Sequence, residues 1–172
     1  MLKLVSMCDI NYDALVEYAK AFMDKTDVSF IVLKSLYLKE KEYLSWLKEI
    51  TTDTCYLLIN DENPNYIIGN CVFNTRFDYH DEHCNRGSIG YSIRPNERNK
   101  HYGTYILSLM LKKCQESGIK EVCVSCLKNN ISSKKIIENN GGKLEKEFYD
   151  VWGHDTGLKY WIDLDNENQI KQ

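Results

Sequence analysis

The sequence contains no apolar run approaching the length that crosses a bilayer, no excess of basic residues, no internal repeat, no low-complexity segment and only two prolines in 172 residues. Each absence narrows the reading. Met1 to Ile10 is interrupted by Lys3, Ser6 and Asp9 and is followed by no small-residue cleavage site, so the chain reads as cytoplasmic and without a membrane partner. Its formal net charge is -3, from 22 basic and 25 acidic residues, which gives no global attraction for nucleic acid; any phosphate must be held by local groups. The seven cysteines are odd in number, scattered and mostly set in apolar runs, where a reduced thiol packs as a small hydrophobe rather than joining a disulfide framework. The Gly-x-x-x-x-Gly-Lys-Ser/Thr pattern is missing as well, which leaves nucleotide binding by a phosphate-loop protein unsupported.

What is present is a globular balance, 43% hydrophobic and 27% charged, in a length that suits one domain spanning residues 1–172. A short strand near Leu2 to Val5 precedes helical spacing over Asn11 to Met23, capped by Asn11 or Asp13, and again over Tyr37 to Ile50. Thr54 to Asn60 and Tyr66 to Asn74 form a hairpin across the turn Asp61-Glu62-Asn63-Pro64-Asn65. Phe77 to Arg86 is a polar loop rich in Asp and His, and Gly87 to Arg94 is a strand closed by Pro95. Tyr102 to Ser117 is an amphipathic helix ended by Gly118, Glu121 to Leu127 a strand, and Asn130 to Asn140 a short helix ended by Gly141-Gly142. Leu144 to Val151 and Gly157 to Leu164 close as an antiparallel pair, and 165–172 is a polar tail. This order implies an α+β, three-layer fold: a mostly antiparallel mixed sheet of about six to seven strands flanked by about four helices, with one strand-helix-strand crossover.

The chemistry concentrates between Tyr91 and Gly142. The turn from Asn96 to His101 carries Arg98, Lys100 and His101 and opens directly into a helix, so free main-chain N–H groups and three potential cations converge on an anion site. The spacing Arg98-x-x-His101-x-Gly103-Thr104 resembles the Arg/Gln-x-x-Gly-x-Gly/Ala pyrophosphate loop of the GNAT superfamily, the acyl-CoA-dependent N-acetyltransferases, with His101 in place of the first glycine. Downstream, Asn130-x-x-Ser133-x-x-Ile136-Ile137-x-x-x-Gly141-Gly142 is similar to the family's Asn-x-x-Ala-x-x-Leu-Tyr-Glu-Lys-x-Gly-Phe, one helix and one strand after the loop. Gly87 to Pro95 looks like the family's central strand, and Lys159 to Leu164 resembles the last strand of a bacterial branch of predicted acetyltransferases.

The resemblance implies a single GNAT domain, with an acetyl-CoA-binding core at about 87–142 and an acceptor side in 1–86. It implies acetyl-CoA as co-substrate, held by Tyr91, Ser92, Ile93, Arg98, Asn99, Lys100, His101, Tyr102, Gly103, Thr104, Asn130 and Ser133, with no metal. Within that set, the loop amides take the pyrophosphate, the Tyr91 to Ile93 backbone pairs with pantetheine, the N–H of Tyr91 polarises the acetyl carbonyl, and Asn130 bonds the pantetheine arm. The acceptor is a small-molecule or peptide amine, and a homodimer stays open. The catalytic candidates are Tyr91 and His83.

In catalysis the sequence departs from the family pattern. Ile137 stands where many members have a tyrosine that protonates the leaving thiolate, and about Gly87 stands where several carry a basic glutamate. His80 and His83 are able to take a proton from an ammonium through water, and Asp78, Asp81 and Glu82 to attract a cationic amine; a merely solvated loop is the other reading. A catalytically weak acyl-CoA-binding or regulatory protein, or transfer of another acyl group, is the alternative that Ile137 keeps alive. Cys123-Val-Ser-Cys126 has metal-pair spacing but lies within a strand, where residues three apart point to opposite faces, so no metal site is expected. Cys126 is read as core rather than nucleophile. Trp46, Trp152 and Trp161 are read as packing residues, with Trp152 also a candidate for the acceptor cleft.

Overall fold

Three helix starts and two helix ends are set by side chains and turns that the sequence displays. The Asn11 side chain accepts from the N–H of Ala14 at 3.1 Å and opens α1 (Tyr12–Lys20), which buries Ala14, Leu15, Tyr18 and Ala19. Helix α2 (Glu40–Ile50) begins three residues later than the periodicity predicts. Glu42 reaches back to the N–H of Lys39, the reciprocal half of a capping box, while Tyr37 stays exposed in front of it. Helix α3 (Tyr102–Glu116) ends in a left-handed Gly118, with Ile119 N–H bonded back to the carbonyl of Cys114. Helix α4 (Ile131–Asn139) starts at Asn130, whose side chain accepts from Ser133 N–H at 3.1 Å, and ends with Gly142 N–H on Ile137.

The computed structural model describes residues 1–22, 32, 34–50, 55–75, 78–150 and 154–165. The expected element ends at Met23, Thr54, Phe77 and Val151, most of the loop between Asp24 and Ser35, Trp152 and the tail beyond Asp165 lie outside the described residues. Seven strands are present among them: β1 (Leu2–Ser6), β2 (Cys55–Asn60), β3 (Asn63–Phe73), β4 (Ile89–Ile93), β5 (Glu121–Leu127), β6 (Lys143–Asp150) and β7 (Asp155–Asp163). They form two hydrogen-bonded sheets, one ordered β1-β2-β3-β4 and one β5-β7-β6. The β1–β2, β2–β3, β5–β7 and β6–β7 pairs are all antiparallel, and α3 joins the last strand of the first sheet to an edge strand of the second. With four α-helices among the described residues, this is the expected α+β class.

The β2–β3 turn is tighter than the sequence suggests. Asn63, Pro64 and Asn65 belong to β3, and Asp61 and Glu62 alone make the turn, with the Asn60 side chain accepting from Glu62 N–H. Pro64 is tolerated because it lies near the strand's start, just after a ladder shift at Ile59 and Asn60.

The described chain falls into two compact units, Met1–Val72 with Tyr91–Ile106, and Phe73–Gly90 with Leu107–Gln172. The core of the first gathers Met7, Leu15, Tyr18, Phe22, Tyr43, Leu57, Ile59 and Ile67, among others. In the second, Val122, Cys123, Val124, Leu158, Tyr160 and Ile162 are buried along β5 and β7. Trp46 packs on Tyr43, with ring centroids 5.8 Å apart.

Gly69 on β3 lets β4 approach closely: a Cβ there would lie 2.8 Å from the carbonyl of Ser92 and 2.7 Å from Ile93 Cδ1. Gly69→Ala is therefore expected to destabilise the fold by about 1–3 kcal/mol, read as a lowered urea midpoint with little change in slope.

Candidate functional site

The loop that follows β4 is built on Arg94. Its main-chain N–H donates to the carbonyl of Ile68 and its Nε to that of Ile67, both at 2.8 Å, while the guanidinium covers the ring of Tyr66 at 4.5 Å. A 3₁₀ turn over Pro95–Glu97 follows, and then Asn99 and His101 both take left-handed conformations, with φ of 62° and 64°. The histidine stands where the resembling pattern has glycine, and the backbone angle gives the reason glycine is favoured there. Tyr105 N–H bonds to the carbonyl of His101 and starts α3. Among the described residues, no protein acceptor meets the N–H groups of Asn99, Lys100, His101, Tyr102 or Gly103. Five main-chain donors thus lie at the positive end of a 15-residue helix, an arrangement chemically suited to an anion.

The side-chain cations of this loop are already engaged. Lys100 Nζ lies 2.9 Å from Glu97 Oε2, and the Tyr66 hydroxyl donates to Glu97 Oε1 at 2.8 Å. Bonding to Lys100 holds the Glu97 carboxyl below its ordinary range, against the opposing effect of burial, and Glu97 in turn raises Lys100. The carboxylate bridge is thus present at neutral pH and is lost as pH falls through the lowered Glu97 value. Arg98 donates through Nε to the carbonyl of Ile93 at 3.2 Å and so braces the loop from within. Charge on a bound anion would therefore be met first by the amides, with Arg98, Lys100 and Thr104 flanking them.

Strand β4 ends the first sheet, with Tyr91 and Ser92 half-buried and Ile93 buried. Behind it, the buried Tyr18 hydroxyl donates to Asn70 Oδ1 at 3.0 Å and to the Ser92 carbonyl at 3.3 Å. Asn70 is 1% exposed and its Nδ2 has no partner. Neither residue stands out in the sequence, because a polar group on an otherwise apolar face becomes informative only once its burial is known.

The second unit holds a cleft of about 910 Å³. Its floor is Ser125 to Leu127 of β5, one wall is the loop Asp78 to Gly87, and the other is Phe148 to Asp150 of β6. Gly157 makes room for that wall: a Cβ there would lie 2.3 Å from Phe148 Cζ, so the ring folds across β7 only over a glycine. Ser88 fastens the loop to β5, its N–H donating to the carbonyl of Cys123 at 2.7 Å and its hydroxyl accepting from Cys123 N–H at 3.0 Å.

The two histidines of the loop part company. His83 is exposed on the cleft wall, 3.5 Å from Glu82, with its main-chain N–H on Asp81. His80 stacks on Trp161 at 4.5 Å and pairs with Glu121 at 3.2 Å. Trp161 is thus more than packing: its indole N–H also donates to Glu145. Asp78 and Asp81 have no cation within ion-pair distance among the described residues, and the buried Asn85 Oδ1 has no donor.

Asn130 uses its side-chain oxygen as a helix cap, and the Ser133 hydroxyl bonds the Cys126 thiol. Burial pushes that thiol upward, and it pushes Cys123 up to about 11, so both behave as core thiols. Cys123 turns instead to the carbonyl of Arg86, so the two sulfurs do not converge. Ile137 is fully buried and offers no proton at the position where the family pattern has tyrosine.

The profile of the acetyltransferase (GNAT) domain matches residues 12–143, well over half of the chain, and the chain belongs to that family; by membership it is an acyltransferase. Solved structures agree on the fold. A GNAT-family acetyltransferase from Bacillus anthracis superposes with a TM-score of 0.68 at 18% identity, covering 96% of each chain. The ribosomal-protein-S5-alanine acetyltransferase of Vibrio fischeri gives 0.67 at 16% identity, over 96% of this chain and 94% of that one. The yncA protein of Salmonella typhimurium, solved with its cofactor acetyl-CoA, gives 0.63 at 12% identity, over 99% and 98%. No curated protein matches the sequence.

If the donors are main-chain amides, the side chain at position 101 should matter only through its backbone preference. His101→Gly is expected to keep the calorimetric Kd for CoA within about threefold, whereas the β-branched His101→Val, strained at this φ, should weaken it about tenfold. Glu97→Gln, which releases Lys100, should tighten CoA binding about two- to fivefold at low salt and lose that gain at high salt.

Proposed function

We propose that this chain is an N-acetyltransferase that moves the acetyl group of acetyl-CoA to a primary amine by direct attack in a ternary complex. The observation that carries the reading is the row of main-chain donors from Asn99 to Gly103, which fits a diphosphate and meets no acceptor within the described chain. Acetyl-CoA supplies an activated thioester. Arg98 and Lys100 flank its diphosphate, Tyr91 to Ile93 lie along its pantetheine, and Asn130 with Ser133 is assigned to the same arm by the family pattern. The N–H of Tyr91 polarises the carbonyl under attack.

The acceptor is assigned to the cleft in the second unit. Its lining favours a cationic ligand with N–H donors, since the Asp78 and Asp81 carboxylates meet no cation among the described residues and Asn85 Oδ1 meets no donor. His83, on the same wall, takes the ammonium proton through water, so that a neutral amine attacks the carbonyl carbon. The nitrogen, cationic after the attack, gives up its proton to solvent as the carbon–sulfur bond breaks, and the departing thiolate takes a proton from solvent. A second reading, an acyl-CoA-binding protein with weak or no turnover, is favoured by Ile137, which supplies no acid for that departure.

Release of free thiol from acetyl-CoA in the presence of an amine panel separates the two. Turnover with any amine supports transfer, and CoA binding without turnover across the panel supports the second reading. Arg98→Ala is expected to weaken CoA binding about tenfold while the urea midpoint stays near that of the unaltered protein; equal affinities would remove Arg98 from the site.

A further inference from the structure

Lys159, in the middle of β7, is 1% exposed, the one charged side chain that is buried among the described residues. A buried ammonium is costly, and an apolar residue of similar volume would pack at least as well, so stability alone does not account for a lysine here. Its partners do. Nζ donates to the carbonyl of Tyr79 at 2.7 Å and lies 3.2 Å from Glu145 Oε2, with the Trp161 ring 5.4 Å away. The register of β6 against β7 jumps from Leu144–Tyr160 to Lys146–Lys159, so Glu145 is the extra residue of a bulge, and its carboxylate accepts from both Lys159 and Trp161.

Tyr79 sits in the loop that walls the cleft, between Asp78 and His80. Further contacts hold the same loop on the same strands: Lys146 Nζ donates to the Glu82 carbonyl, His80 stacks on Trp161, and His80 pairs with Glu121. His80 and Glu121 are exposed and Lys146 is half-buried, so solvent competes for these contacts more than for the buried Lys159 side chain.

We propose that Lys159 is a positioning residue for the amine acceptor: its buried ammonium latches the Tyr79 carbonyl onto β7 and thereby fixes Asp78, Asp81 and His83 as the wall of the cleft. The role rests on the reading of that cleft as the acceptor site. Lys159 touches neither co-substrate and acts only through the loop.

The test compares the unaltered protein with Lys159→Met by amide hydrogen exchange and by thiol release, using a linear diamine as the amine. The N–H groups of Asp81 and Cys84, which close the loop's own turns, should exchange about ten- to a hundredfold faster in the variant, while the β5–β7 ladder exchanges as before. The KM for the diamine should rise about fivefold or more, with the KM for acetyl-CoA unchanged, a split that general loss of structure would not produce. Unchanged loop exchange overturns the proposal, and so does a faster loop with both KM values unmoved or moved together. Should Lys159→Met fail to fold, Lys159→Gln serves in its place; it stays polar but is shorter and carries no ammonium for the Tyr79 carbonyl, and a folded Lys159→Gln with unaltered loop exchange overturns the latch equally. Absence of thiol release by the unaltered protein sinks the acetyl-transfer reading instead, and the exchange comparison then still decides whether the latch exists.

Discussion

A main-chain N–H that faces no acceptor must have water or a ligand, and five of them side by side at the mouth of α3 set the terms for everything around them. Keeping them unpaired requires the chain to turn sharply twice, which is what the left-handed Asn99 and His101 accomplish. It also requires a rigid approach, which Arg94 supplies by bonding two carbonyls of β3 and stacking on Tyr66. The Glu97 carboxylate then restrains Lys100 and accepts from Tyr66, so the loop's own cation is spoken for until an anion of higher charge competes. The loop is preorganised by contacts that do not use the donors it offers.

Much of the architecture is visible in the residues because its signals are local. Asn11 and Asn130 cap helices through their own side chains, Gly118 and Gly141 end helices with positive φ, and β5 occupies the expected span from Glu121 to Leu127. The differences arise where tertiary pairing overrides local chemistry. Pro64 and its neighbours look like a five-residue turn, yet ladder contacts from β2 draw them into β3. The division of seven strands into a four-stranded and a three-stranded sheet is likewise a matter of which backbone edges meet, and hydrophobic periodicity carries no information about that.

The same distinction governs the site. The candidate loop after β4 is legible as a motif because its donors, its cations and the following helix are contiguous in sequence. Its weak point on paper, histidine where glycine is usual, turns out to be a residue held at a glycine-like φ. By contrast, Asn70 under β4, Gly157 beneath Phe148, and Lys159 with Glu145 and Tyr79 join residues from 9 to 80 positions apart and carry no motif. His80 and His83 read as one loop pair, and the structure gives them different work: one ring is stacked against a tryptophan, the other is turned to the cleft.

The bulge at Glu145 reaches beyond the cleft. Strand β6 is an outer strand of the β5-β7-β6 sheet, and an outer strand presents free hydrogen-bonding groups to any extended segment of another molecule. An extra residue in mid-strand spoils the regular spacing such a segment would need, and Lys143, Lys146 and Glu147 add charges that an incoming chain would have to match. The irregularity that turns one carboxylate toward a buried ammonium therefore also makes the β6 edge a poor template for a further strand.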